Sequence, residues 1–391
     1  MYATPLAFEA VLADLDEQGL RRRRRNVRRL AHDTAEIELG GRPCIDFCSN
    51  DYLGLSAHPR VTDAFVAAAR EHGVGARASH LISGHQREHE ALEEELAAFT
   101  GRGRALLFST GYMANLGLAT ALVKKGGAVL GDALNHASLI DAGRIARAQL
   151  AWYPHGDAAT LEEKLAARTP GPALVLTDGV FSMDGDLAPL PALAAACRQH
   201  GALLAVDDAH GLGVLGARGG GSLEHFGLDA GDVPALVGTL GKSFGSFGAF
   251  VAGDADLVET LVQRARTYIY TTALPVAVAA ATRAALAVSI AESWRRTRVA
   301  ALTRRFRLLA MQAGLPLADS PTPIQPVVIG DSGVAMAASA RLLERGFFVA
   351  AIRPPTVPEG SSRLRVALSA AHRDADLEGL VAALADCLPK T

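Results

Sequence analysis

The chain is predicted to fold as an α/β protein, with a mostly parallel central sheet flanked by helices and a smaller C-terminal α+β domain. Three observations carry this expectation. Between about residues 104 and 251, short β-branched or leucine-rich runs alternate with helix-length segments. Several of these runs, PALVLTD and GALLAVDD among them, are apolar in continuous blocks and lack the in-out alternation of a strand that is wet on one face. After about residue 275 the pattern changes to a long Ala- and Arg-rich helical stretch followed by shorter strand and helix signals.

The elements follow in order. Residues 1–45 read as a helical segment ending in an arginine run, too short for a core of its own and expected to dock on the rest of the chain or on a second subunit. Residues 46–275 read as the large domain, its strands being RALLF, GAVLG, AQLAWY, PALVLTD, GALLAVDD, ALVGTL and GAFVAG. Strands buried on both faces need helices on both sides, hence the mostly parallel sheet. Residues 276–391 read as the small domain: a helical stretch to about Ala313, then IQPVVIG, a helix to Gly346, FFVAAI, RLRVALS and a last helix. Gly219-Gly220-Gly221 reads as a flexible loop.

Composition narrows the function. At 391 residues, with 49% hydrophobic and 20% charged positions, the chain is long enough for a large core and is neither disordered nor fibrous. A formal net charge of −2 argues against a general nucleic-acid-binding surface. Cys44, Cys48, Cys197 and Cys387 form no CxxC pair, so neither a zinc site nor a disulfide framework is expected, and a reducing cytoplasmic home follows. The N-terminus lacks the apolar core of a signal peptide. LPVAVAAATRAALAVSIAES is alanine-dominated and interrupted by Arg283, which suits a packed helix better than a membrane span.

Several stretches carry chemistry. VDDAHGLGVLG contains a literal GxGxxG at Gly211, Gly213 and Gly216, but ARGGGSLEHFG after it opens no helix and the acids precede the glycines, so a dinucleotide site is rejected. The same stretch sets Asp207 and Asp208 at the carboxyl end of a buried strand with His210 just behind, where ligands of open α/β sheets sit. LLFSTGYMAN leads from a strand through Thr110, Gly111 and Tyr112 into a helix, whose first N–H groups suit a phosphate; Thr110 as a plain N-cap accounts for the pattern equally well. His85 and His89 stand at i, i+4, yet no glutamate follows His85, and a solvated helix face is favoured over a metal site. The five arginines Arg21 to Arg25 suit a solvated surface, a nucleic acid, or an anionic tail such as a phosphopantetheine. In GTLGKSFGSFGAF, Lys242 lies among small residues beyond a buried strand, where partial desolvation lowers an amine's pKa and makes it a nucleophile suited to a Schiff base. An acid for a pyridinium nitrogen and a phosphate cradle complete what pyridoxal phosphate requires.

Together these residues resemble the α-oxoamine synthases among the fold-type I enzymes that depend on pyridoxal phosphate. The markers run in the family's order over nearly the whole chain: FCSNDYLGL, FSTGYMAN, NHASLIDA, GVFSMDGDLAPL, VDDAHGLGVLG, TLGKSFG and AIRPPTVPEG. The resemblance implies that Lys242 anchors the cofactor and then acts as base, that Asp207 pairs with the ring nitrogen, and that His210 bonds the phenolic oxygen. It implies His136 stacked on the ring, with Gly111, Tyr112, Ser182 and Thr239 completing the cup around the phosphate. It further assigns Arg353 to the amino-acid carboxylate, Arg21 and Thr356 to substrate contact, and Asn50 to the reacting centre. The reaction implied is an acyltransferase step of biotin biosynthesis, a decarboxylating condensation of L-alanine with a pimeloyl thioester on coenzyme A or an acyl carrier protein. Glycine C-acetyltransferase and 5-aminolevulinate synthase chemistry are the alternatives. YIYTTALP, with Thr271 or Thr272 reaching a partner's phosphate, implies a homodimer.

Overall fold

In the computed structural model, which describes residues 8–18, 20–22 and 24–388, the first helix α1 (Phe8–Glu17) is followed by strands, not by more helix. These are β1 (Val27–Arg29), β2 (Glu36–Leu39) and β3 (Arg42–Asp46). The expectation of a helical segment up to residue 45 is therefore corrected. The cause is a two-residue hairpin: Leu39 pairs with Arg42, and Gly40 and Gly41 both take positive φ, 59° and 81°. Two successive left-handed residues give the primed turn whose twist matches antiparallel strands.

Next come α2 (Pro59–His72), a π-helical turn at His80–Gly84 and α3 (Arg87–Thr100), which ends on left-handed Gly101. Then come β4 (Arg104–Phe108), α4 (Gly111–Leu122), β5 (Ala128–Asp132), α5 (Ala137–Ile145), β6 (Gln149–Tyr153), α6 (Ala158–Ala167), β7 (Ala173–Asp178), α7 (Leu190–Gln199) and β8 (Leu203–Asp207). A short α8 (Gly221–Phe226) leads to β9 (Ala235–Thr239), β10 (Ala249–Gly253), α9 (Ala255–Arg264) and the single turn α10 (Arg266–Ile269). All seven strand runs read from the sequence are strands of one sheet, in the order β4-β10-β9-β8-β7-β5-β6. Strand β10 is antiparallel to both its neighbours, and the remaining pairs are parallel.

The continuous apolar runs are explained by two cores. Val129, Leu174, Leu176 and Ala205 face one cluster, with α4 and α9, while the intervening Leu130, Val175, Leu204 and Val206 face another, with α6 and α7. Each strand is dry on both sides, so period-2 alternation carries no polar signal.

The stretch from residue 275 forms α11 (Val276–Ala291) and α12 (Trp294–Gln312), bent by 69° at their junction. Among the described residues no single helix is long and apolar enough to cross a membrane. The chain continues with β11 (Ile324–Gly330), α13 (Ser332–Glu344), β12 (Phe347–Phe348), β13 (Ala350–Ile352), β14 (Ser362–Ala367) and α14 (Asp374–Cys387). The run FFVAAI is split: β12 pairs parallel with β3 in the N-terminal sheet, and β13 joins β11 and β14. Phe47 anchors the N-terminal segment in the small-domain core beside Phe306, Val366 and Leu380, stacked on His372 at 4.2 Å.

Gly219-Gly220-Gly221 is not slack. A Cβ at Gly221 would lie 1.9 Å from Asp208 Oδ2, and its φ is +84°, so close approach and backbone conformation both require glycine there.

Candidate active site

Three neighbouring parallel strands end in acids: Asp132 on β5, Asp178 on β7 and Asp207 on β8, the last two directly paired in register. The loop after β9 brings Lys242 to the same edge. Gly245 permits this loop, because its φ is +61° and a Cβ would lie 2.3 Å from Ser56 N.

Lys242 is half-buried, and its Nζ lies 2.9 Å from His210 Nε2. Burial pulls its pKa down from 10.5 to about 8, against the opposing pull of Asp207 and Asp178. His210, buried beside this amine, is held well below the ordinary imidazole value, chiefly by burial and then by Lys242, and so stays neutral. Asp207 accepts from Asn115 Nδ2 at 2.6 Å on Oδ2 and from Ala209 N at 3.1 Å on Oδ1. Each of its oxygens keeps a lone pair for a further donor. Asp208 points away and serves the fold. Its Oδ2 accepts from Ser222 N at 2.7 Å, and burial raises its pKa to about 7.

His136 N–H donates to Asp178 Oδ2 at 2.6 Å, and its Nδ1 lies 2.7 Å from Ser138 Oγ, which also accepts from Asn115 Nδ2 at 2.9 Å. Thus His136, Ser138, Asn115 and Asp207 form one connected group. On the facing side Asn50 Oδ1 accepts from Tyr52 Oη and from Arg365 Nη2, each at 3.2 Å. Arg365 Nε donates to Ser182 O at 2.6 Å. A second buried arginine, Arg363, pairs with Asp184 in the same loop as Ser182.

Thr110 caps α4 by accepting from Met113 N at 3.2 Å, so the N-cap reading is met. Gly111, the first residue of α4, leaves open space where a Cβ would stand. Tyr112 is exposed and donates to Asp141. Thr239 Oγ1 accepts from Gly241 N at 3.3 Å at the end of β9.

Arg21, Arg353 and Thr356 gather in a different place, a rim cluster between the N-terminal segment and the loop after β13. Arg353 Nη2 donates to Arg21 O at 3.3 Å, and Thr356 Oγ1 accepts from Arg22 Nη2 at 3.4 Å. The Arg21 guanidinium faces Asp16 at 2.5 Å. Arg23 lies outside the described residues.

Two further readings meet the structure. Gly211, Gly213 and Gly216 serve packing: a Cβ at Gly211 would lie 2.1 Å from Asp208 Oδ1 and one at Gly213 2.7 Å from Ser243 Cβ. A helix does open at Gly221, contrary to expectation, but too far from Gly216 to receive a pyrophosphate in the dinucleotide manner. The His85/His89 pair is a solvated face only in part: His85 is exposed, whereas His89 is fully buried, and His80 stands beside both. His89 closes the capping box of α3 through Nδ1, which accepts from Gln86 N at 3.0 Å, while its Nε2 bonds Leu274 O at 2.6 Å.

Sequence reasoning missed Tyr52, Asn115 and Arg365. Arg365 had a signal: arginines at i and i+2 inside an apolar strand, RLRVALS, put two cations on one side of β14. Asn115 had none, being one polar residue in an apolar helix.

The chain matches the model of the aminotransferase class I and II family over residues 42–384. It is 59% identical to the 8-amino-7-oxononanoate synthase of Thioalkalivibrio sulfidiphilus, over 94% of this chain and 93% of that protein. It is 56% identical to the enzyme of the same name from Methylococcus capsulatus, over 97% and 98%. Among solved structures it is similar to the serine palmitoyltransferase of Sphingomonas wittichii, at 31% identity and a TM-score of 0.93 over 98% of each chain. It also resembles an 8-amino-7-oxononanoate synthase from Francisella tularensis, at 30% identity and a TM-score of 0.77 over 88% of this chain and 97% of that one. The architecture is that of the fold-type I transferases. With relatives this close over nearly its full length, and with Lys242, Asp207 and His210 meeting at one strand edge, the chain belongs to the aminotransferase class I and II family and, within it, to the α-oxoamine synthases.

Proposed function

We propose that the protein condenses L-alanine with a pimeloyl thioester, with loss of CO2, to give 8-amino-7-oxononanoate and the free carrier, a step of biotin biosynthesis. The observation that carries the reading is a lysine amine lowered to about 8, held 2.9 Å from a neutral histidine beside a strand-end aspartate. The identity of 56–59% to enzymes named for this product supports it.

The residues fit pyridoxal phosphate as cofactor. Lys242 supplies the amine for its aldehyde, Asp207 has lone pairs free for a ring nitrogen, and the open first turn of α4 at Gly111 and Tyr112, with Ser182 and Thr239, suits its phosphate. When bound, this group supplies a carbonyl for amines and a ring that accepts the electron pair left at Cα.

The chain's own residues do the rest. Asp207 would meet the cofactor's ring nitrogen with its carboxyl oxygens, and Asn115 holds that side chain in place. His210 Nε2 shares a hydrogen bond with Lys242 and would hold the cofactor's phenolic oxygen. His136, fixed through its backbone to Asp178 and through Nδ1 to Ser138, would lie against the cofactor ring. Lys242, free at neutral pH in a useful fraction of molecules, takes the Cα proton on Nζ. The substrate carboxylate goes to Arg365 with Asn50, because Arg365 is 6% exposed and bonded to Asn50, whereas Arg353 stands at the rim. Arg353, Arg21 and Thr356 then meet the acyl donor.

The functional unit is a homodimer. Exposed Ile82 and Tyr270, on two segments that Ala273 N→Ala78 O ties together at 3.0 Å, support an interface there, from which Thr271 or Thr272 would reach a partner's phosphate. Four free cysteines suit the cytoplasm. The test is a substrate panel on the purified holoenzyme: alanine with pimeloyl-CoA or a pimeloyl carrier protein gives CO2 and 8-amino-7-oxononanoate in equal amounts. Turnover with glycine or serine and none with alanine would overturn the assignment.

A further inference from the structure

A hydrogen-bonded chain runs inward from the reacting amine through Tyr52, a residue to which no role has been given. Lys242 Nζ lies 2.9 Å from His210 Nε2, His210 Nδ1 lies 2.7 Å from Tyr52 Oη, and Tyr52 Oη lies 3.2 Å from Asn50 Oδ1. Asn50 Oδ1 also accepts from Arg365. Tyr52 is fully buried and His210 is 5% exposed, so neither can exchange these partners for bulk water.

We propose that Tyr52 is a positioning residue whose hydroxyl, turning between Asn50 Oδ1 and His210 Nδ1, lets the His210 tautomer follow the protonation of Lys242. The proton count leaves two arrangements. With Lys242 an ammonium, Nζ donates to a bare Nε2, Nδ1–H donates to Tyr52 Oη, and Tyr52 gives its own proton to Asn50 Oδ1. With Lys242 a free amine, Nε2–H donates to Nζ, and Tyr52 turns to donate to the bare Nδ1. The second state has one proton fewer, lost to solvent, and His210 is neutral in both.

The hydroxyl is needed because it is the one partner at Nδ1 that both gives and takes a hydrogen bond. Burial holds the phenol above its usual pKa and the imidazole well below its own, so Tyr52 keeps its proton and His210 does not become charged. The charged and titratable groups around the chain are Asp207, Asp178, Asp208 and Arg365 about Lys242, and Arg365 and His136 about His210. They shift the midpoint of the exchange. None of them is hydrogen-bonded to Nδ1, which is left to Tyr52.

This rests on Lys242 being the reacting amine, but its test involves no substrate and so fails separately from the substrate panel. Full-length protein freed of cofactor is labelled with 15N at histidine and lysine, with signals assigned by His210→Asn and Lys242→Met. In the wild type, His210 carries its proton on Nδ1 below the Lys242 midpoint near pH 8 and on Nε2 above it. In Tyr52→Phe the proton stays on Nε2 throughout, and because an ammonium then faces a donor, the Lys242 midpoint falls by about one pH unit, a tenfold change. The same tautomer on both sides of the wild-type midpoint would overturn the proposal. So would Tyr52→Phe with an unchanged tautomer pattern and midpoint. If Tyr52→Phe does not fold, the wild-type titration alone decides.

Discussion

The lowered pKa of Lys242 gives a quantitative prediction about how the protein captures its cofactor. A fall from 10.5 to about 8 leaves about one tenth of the amine unprotonated at pH 7, against about one part in 3,000 for an ordinary lysine, a gain of roughly 300-fold in nucleophile. The rate at which cofactor-free protein takes up pyridoxal phosphate, followed by its visible absorbance, should therefore rise tenfold per pH unit up to about 8 and then level off. Asp207→Asn removes the strongest charge that opposes the fall, so its plateau should begin at lower pH. A rate that keeps climbing with unit slope past pH 10 would refute the reasoning, since Lys242 would then be an ordinary solvated amine.

Other perturbations test the supports of the site. Asn115→Ala leaves Asp207 Oδ2 without its donor in a buried place and should cost about 1–3 kcal/mol, read as a lower Tm together with weaker cofactor retention. His155 bridges Asp132 at 3.1 Å and Asp186 at 2.8 Å, and these bonds raise its pKa to about 10. A raised histidine contributes fully below its unfolded value near 6.5 and loses that contribution as pH rises from there to about 10, so Tm should decline over this window and the decline should vanish in His155→Ala. Gly245→Ala places a Cβ 2.3 Å from Ser56 N at a φ of +61°; it should displace the Lys242 loop and abolish cofactor binding while the seven-stranded sheet, followed by circular dichroism, remains.

The large sheet was legible because its central strands β5, β7, β8 and β10 are nearly unbroken apolar runs flanked by turns, and a strand buried on both faces leaves that mark whatever its neighbours are. The N-terminal sheet was not, since EIEL and RPCID are short, half-polar strands whose only strong signal is the Gly40-Gly41 turn between them. Lys242, Asp207 and His210 could be found because glycines and a strand end marked them locally; the structure bonds Lys242 to His210 and sets Asp207, held by Asn115, at the end of the neighbouring strand β8. Arg365 and Asn50 meet across 315 residues of sequence, and that pairing depends on how β14 docks against the FCSNDYLGL segment. Docking of this kind has no local pattern. Nor did the marker set show that Arg353 stands with Arg21 at the rim, away from the buried Arg365, which moves the carboxylate contact in the proposed chemistry.

The central claim is that one amine, Lys242, holds the cofactor. Borohydride reduction of the holoenzyme, digestion and mass spectrometry test it directly. The account predicts a pyridoxyl phosphate adduct on the peptide containing TLGKSFG and none in Lys242→Ala; an adduct on Lys124, Lys125, Lys164 or Lys390 that survives that substitution would contradict it.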